Sequence, residues 1–69
     1  MMTVTIEKVE AGYKILPSDH VAKDLQETER FVRTNFQVIP DEWAKMKSDL
    51  DRTGKASIER SLGKFSQGA

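Results

Sequence analysis

Residues 49–60, DLDRTGKASIER, decide how the second half of this chain is built. They hold Asp49, Asp51, Thr53, Gly54 and Ser57 at the first, third, fifth, sixth and ninth positions of a calcium-loop pattern. Such a loop needs a bidentate Glu at its twelfth position. Arg60 stands there, and Glu59 is one residue early. The eighth position, normally apolar and paired with a second hand, is Ala56, and no second hand follows. A plainer reading is the polar end of a helix, stopped at Gly54 with Arg52 and Lys55 near its negative pole. Beyond the glycine, Ile58, Leu62 and Phe65 recur at helical spacing and fall in phase with Trp43 and Leu50. The segment therefore predicts a third helix over 57–66. One helix running through Gly54 is the alternative, at a cost of about 1 kcal/mol relative to Ala.

Working outward, VIPDEWAKMKSDL begins a helix over 41–53. Pro40 holds Ile39 extended. Asp41 is the expected cap, Glu42 suits the positive end of the helix, and Trp43, Met46 and Leu50 make its apolar stripe. The stretch PSDHVAKDLQETERFVRTNF predicts a helix over 18–36. Ser18 or Asp19 would cap it, and Val21, Leu25, Thr28, Val32 and Phe36 would form its stripe. Glu29 and Arg33 are an i,i+4 pair in the favourable order. At the N-terminal end, Val4 and Ile6 alternate with Thr3, Thr5 and Glu7, and Tyr13 and Ile15 resume the period of two. VEAG can turn between them. This predicts a strand or hairpin over 3–16, which must pack on a helix or pair across a dimer to persist. The expected fold is α+β but mainly helical: a short N-terminal hairpin, then two or three helices, in one domain of residues 1–69.

Sixty-nine residues without cysteine exclude a disulfide framework and thiolate metal sites. A chain this small buries only roughly 60% of its unfolded surface. Association is the remaining source of stability, so an intertwined homodimer is expected. Charge is balanced at eleven basic and eleven acidic residues. Residues 1–30 lean acidic and 31–69 lean basic, but neither part has the field that non-specific DNA binding uses. No apolar run approaches the ~20 residues of a membrane span. MMTVTIEKVE lacks the pattern of a secretory signal, so a cytoplasmic protein is expected.

Motifs of chemistry fail on inspection. TGKAS hints at a phosphate loop, but Asp49 occupies the position of its first glycine and Ala56 that of its Ser or Thr. His20 is the only histidine, with Asp24 one turn away if the helix begins at Ser18. No third ligand or orienting group accompanies the pair. No catalytic residue, metal or cofactor is implied, and the chain reads as a non-enzymatic binding protein. A DNA-binding alternative exists. The order strand–helix–helix is that of ribbon-helix-helix repressors, whose exposed strand face reads base edges. Here that face offers Thr3, Thr5 and Glu7. A helix-turn-helix over 41–65 would present only Arg60 and Lys64.

The partner-binding candidates lie on the first helix. Phe31 falls about a quarter-turn from the main stripe, with His20, Asp24, Glu27 and Asn35 on the same side. It either widens the core stripe or acts as an aromatic anchor. An aromatic ringed by polar groups is a frequent binding hot spot, and the carboxylates would favour a basic partner. Trp43 is read as core, or as the cover of a dimer seam.

In size and element order over the whole chain, this sequence resembles the quorum-sensing anti-activators of temperate Pseudomonas phages. VIPDEW and ERFVRTNF are its most distinctive strings. The resemblance implies a small dimer acting in the host cytoplasm. It also implies two protein partners: the DNA-binding region of a LasR-type transcription activator, and the ATPase that assembles type IV pili. It carries no functional residue across.

Overall fold

The computed structural model describes residues 2–60. Strand β1 (Met2–Val9) turns through Glu10 and Ala11 into β2 (Gly12–Leu16), with Val9 paired to Gly12 and Ile6 to Ile15. A two-residue strand, β3 (Val21–Ala22), adds to the other side of β2. Two helices follow, α1 (Leu25–Phe36) and α2 (Pro40–Thr53), and then β4 (Lys55–Arg60). β4 returns antiparallel to β1, from Met2 opposite Arg60 to Glu7 opposite Lys55. The antiparallel sheet has the order β3-β2-β1-β4, and both helices pack on one face of it.

This architecture corrects the expectation of a mainly helical fold. The described residues are 44% helix and 36% strand. The predicted helix over 57–66 is not formed where it can be followed, because residues 55–60 are β4; its remainder lies outside the described residues. α2 does stop at Gly54. The glycine adopts a left-handed conformation (φ 81°), and its N–H donates to the Leu50 carbonyl at 2.8 Å. Its own carbonyl then accepts from the Lys8 N–H at 2.8 Å, which starts the β1–β4 ladder. From there Ala56 and Ile58 face inward while Lys55, Ser57 and Glu59 face out. The two-residue period was present in KASIER, but the helical spacing of Ile58 with Leu62 competed with it. The hairpin packs on helices and pairs with β3 and β4 of its own chain.

The predicted helix over 18–36 begins seven residues late, at Leu25. Ser18 Oγ donates to the Ile15 carbonyl and accepts from the His20 N–H at 3.1 Å. These local bonds compete with the first helical turn, and Val21 is used in β3 instead. Val21 is thus 42% exposed rather than part of a buried stripe, while Thr28, Val32 and Phe36 are buried and Leu25 is half-buried. Thr28 tolerates burial because its hydroxyl donates to the Asp24 carbonyl at 2.8 Å. In α2, Ile39 and not Asp41 is the N-cap residue. Its side chain has no acceptor, so capping is one-sided: Glu42 Oε1 accepts the Ile39 N–H at 3.1 Å. Glu42 also pairs with Arg60, tying the start of α2 to the end of β4.

The core lies between sheet and helices. Val4, Ile6 and Ile15 are fully buried from the sheet side and meet Val32, Phe36, Trp43, Met46 and Leu50 from the helices. Full burial of each such side chain stabilises by roughly 1.5–3 kcal/mol. The opposite sheet face carries polar cross-strand pairs, Thr5 with Ser57 at 3.2 Å and Thr3 with Glu59 at 3.4 Å. Among the described residues, no helix is long and apolar enough to cross a membrane.

Two glycines separate conformational strain from steric exclusion. At Gly54 the nearest atom to an added Cβ is that of Lys8 at 4.0 Å, so Gly54→Ala meets only the left-handed backbone penalty. It should cost about 1–2 kcal/mol in urea unfolding. At Gly12 (φ 146°) an added Cβ would overlap the Ala22 carbonyl oxygen. Gly12→Ala should cost more and should also strip amide protection from β3, which hydrogen exchange would detect.

Candidate functional site

The loop between β2 and α1 builds the main surface feature. After Leu16, joined to Pro17 by a cis peptide bond, the chain folds back so that the Ile15 N–H donates to the His20 carbonyl at 3.0 Å. This places the His20 ring over α1. There it stacks on Phe31, with ring centroids 4.3 Å apart and planes within 5°. Its Nε2 lies 3.1 Å from Glu27 Oε2. The other Glu27 oxygen accepts the Lys23 N–H at 3.2 Å. Glu27 thus clamps the loop from two sides. Phe31 meets Phe36 edge-on at 6.2 Å on its other flank and packs against the core cluster. It is half-buried: part core, part surface.

The four residues singled out from sequence do share this region, each with an internal task. Asp24 is the N-cap of α1, its Oδ1 accepting the Glu27 N–H at 2.8 Å. Glu27 holds His20. Asn35 Nδ2 donates to the Phe31 carbonyl at 3.0 Å, so its amide is folded onto its own helix. The expected contact of His20 with Asp24 is replaced by one with Glu27, because His20 arrives through a loop and not one helical turn upstream. Helical periodicity cannot anticipate a stack made that way. The only local signal was PSDH, a turn-forming string ahead of the histidine.

Ser18 Oγ meets the backbone of His20 and not its ring, so Ser18, His20 and Glu27 do not form a nucleophile–base relay. The stack presents an aromatic surface edged by carboxylates, suited to a cationic or guanidinium-bearing group. Among the described residues, no group of three or more His, Asp or Glu gathers in metal-binding geometry. The former calcium-loop stretch is a helix end, a left-handed glycine and a strand; Asp49 pairs with Arg52 at 2.6 Å. A second concavity, of about 510 Å³, opens between the hairpin and α2, with Lys8, Tyr13, Leu25, Lys47 and Leu50 in its wall. Sequence reading missed it because its walls come from four elements, β1, β2, α1 and α2, spread along the chain.

The capping role of Asp24 can be measured directly. Asp24→Ala removes the cap and should cost about 1 kcal/mol of stability, while Asp24→Asn keeps the acceptor and should cost a few tenths. Thermal or urea unfolding of the two variants checks this.

No family model, curated protein or solved structure matches the chain in the comparisons made with known proteins.

Proposed function

We propose that this chain is a non-enzymatic binding protein that inhibits a host regulatory protein by covering a basic surface on it. The observation that carries the reading is the half-buried Phe31–His20 stack, with Glu27 bonded to His20 and Asp24 capping the same helix at the Glu27 N–H. A rigid aromatic held by a clamped loop offers apolar contact at little entropic cost, and the rim carboxylates select for cations. The resemblance drawn from size and element order suggests the partner: the DNA-binding region of a LasR-type activator, with a pilus-assembly ATPase as a second. Action in the host cytoplasm belongs to the same proposal.

The DNA-binding alternative has less support. β1 lies inside the sheet with both edges paired, so it is not free to form the intermolecular ribbon of a ribbon-helix-helix dimer. Residues 55–60 form a strand where a helix-turn-helix would need a second helix. The exposed sheet face is also charge-balanced, with Glu7 between Lys14 and Lys55 and with Glu59 beyond, so it offers no net positive field to phosphates.

Binding of purified chain to a purified LasR-type DNA-binding domain, with operator DNA as competitor, tests the proposal. Phe31→Ala should weaken the complex by about thirtyfold, the effect of losing a hot spot of roughly 2 kcal/mol. Asp24→Asn combined with Glu27→Gln keeps one acceptor oxygen at each position, enough for the α1 cap and the Lys23 N–H, turns the group facing His20 Nε2 into an amide donor, and removes two charges. That variant should stay folded, associate more slowly, and lose the salt dependence of the wild-type on-rate. Unchanged association by the neutralised variant would move the site elsewhere. Retention of DNA by the chain itself at low salt, with no binding to the protein domain, would sink the reading.

A further inference from the structure

The most informative surface outside this site is the outer edge of β4. β4 ends the sheet, and among the described residues no strand pairs with that edge. Its hydrogen-bonding parity is fixed. Lys8 bonds Gly54, so the backbone groups of Gly54, Ala56 and Ile58 point toward β1. Those of Lys55, Ser57 and Glu59 point outward. Thr53 Oγ1 agrees with this, reaching both the Lys55 N–H at 3.3 Å and the Lys55 carbonyl at 3.0 Å from the open side. The opposite edge, β3, is only two residues long. β4 is the one long edge of the described sheet.

We propose that two copies of this chain dimerise through β4, antiparallel about a twofold axis at Ser57, so that the two sheets become one. In an antiparallel pair, opposed residues share a face. An axis at Ser57 sets Ser57 against Ser57 of the second copy, with their outward N–H and carbonyl groups in register for exchange. Lys55 then faces Glu59 of the second copy on the exposed face, twice by symmetry. On the inner face small Ala56 sits opposite large Ile58, again twice. The Thr53 hydroxyl gives up the Lys55 backbone to the incoming strand. Moving the axis to Ile58 would set Ser57 against Glu59 and Ala56 against Arg60, pairing no opposite charges. Self-complementary charge thus selects both the occupant and its register. A groove beside the edge lies between Glu42, Lys45, Met46 and Asp49 of α2 and Ser57 and Ile58 of β4. The small core provides the motive, since half-buried Ile58 would be covered by the second copy. The interface lies on different elements from the Phe31 site, so either proposal can fail alone.

Sedimentation across micromolar concentrations tests the pairing, with circular dichroism as the check on folding. The wild-type chain should run at about twice its 7.8 kDa mass. Ser57→Pro deletes an N–H that points away from β1, leaving the β1–β4 ladder intact, and should give a monomer. Glu59→Lys sets like charges in opposition and should raise the dissociation constant by about tenfold or more. Adding Lys55→Glu to Glu59→Lys should restore the dimer, and this pair decides the matter if Ser57→Pro does not fold. In the wild type, the Ser57 and Glu59 amides should be protected from exchange in proportion to the dimer present. A wild-type monomer would overturn the proposal, as would a dimer indifferent to both the proline and the charge swap. Edge amides protected only after a different protein is added would assign the edge to a foreign strand and overturn it too.

Discussion

The bond from the Lys8 amide to the Gly54 carbonyl sets the register on which the rest of the sheet depends. Gly54 ends α2 in a conformation that most residues resist, and the same peptide unit begins the pairing of β4 with β1. A shift of one residue there would turn Ala56 and Ile58 outward and Lys55, Ser57 and Glu59 toward the core. Val4 and Ile6 would then lose their neighbours on one side. The central position of β1, the closure of the core over Trp43 and Leu50, and the pairing of Glu42 with Arg60 all follow from that register.

Polar side chains fasten the remaining elements at points where the backbone would otherwise be loose. Glu42 satisfies an orphan amide of α2 and holds β4. Glu27 does the parallel job for the loop before α1, gripping both Lys23 and His20. Each carboxylate joins an element to one distant from it in the fold or flexible without it. The segment between β2 and α1 is thereby ordered by contacts within the chain, and the His20 ring is held against Phe31.

The sequence was legible where one periodicity operated alone. Val4, Ile6, Tyr13 and Ile15 alternate cleanly and form the hairpin; Trp43, Met46 and Leu50 step helically and form α2's buried face. It was ambiguous where two patterns overlapped. KASIER contains good helix formers, and Ile58 fits a helical stripe as well as an alternating one. What selected the strand was the vacant edge of β1, a partner about fifty residues away in sequence and invisible to any local window. The loop at Ser18–Val21 was misread for a different reason. The Ser18 hydroxyl bonds to the backbone of both Ile15 and His20 and so withholds the first turn from the helix. Of the candidate site, Asp24, Glu27, Phe31 and Asn35 were found by spacing. The stacking of His20 and the capping role of Asp24 depended on where the helix starts.

Pairing the first described strand with the last also governs how this protein emerges from a ribosome. The hairpin and α1 can form early from local contacts, but one flank of β1 stays open until residues 55–60 have been made and released. At translation rates of roughly 5–20 residues per second, that interval lasts seconds. Throughout it, the nascent chain displays an unpaired strand flanked by Val4 and Ile6. The polar face of β1, with Thr3, Thr5 and Glu7, limits what that edge can recruit while it waits, so the same residues that leave the finished sheet wettable also guard the chain during synthesis.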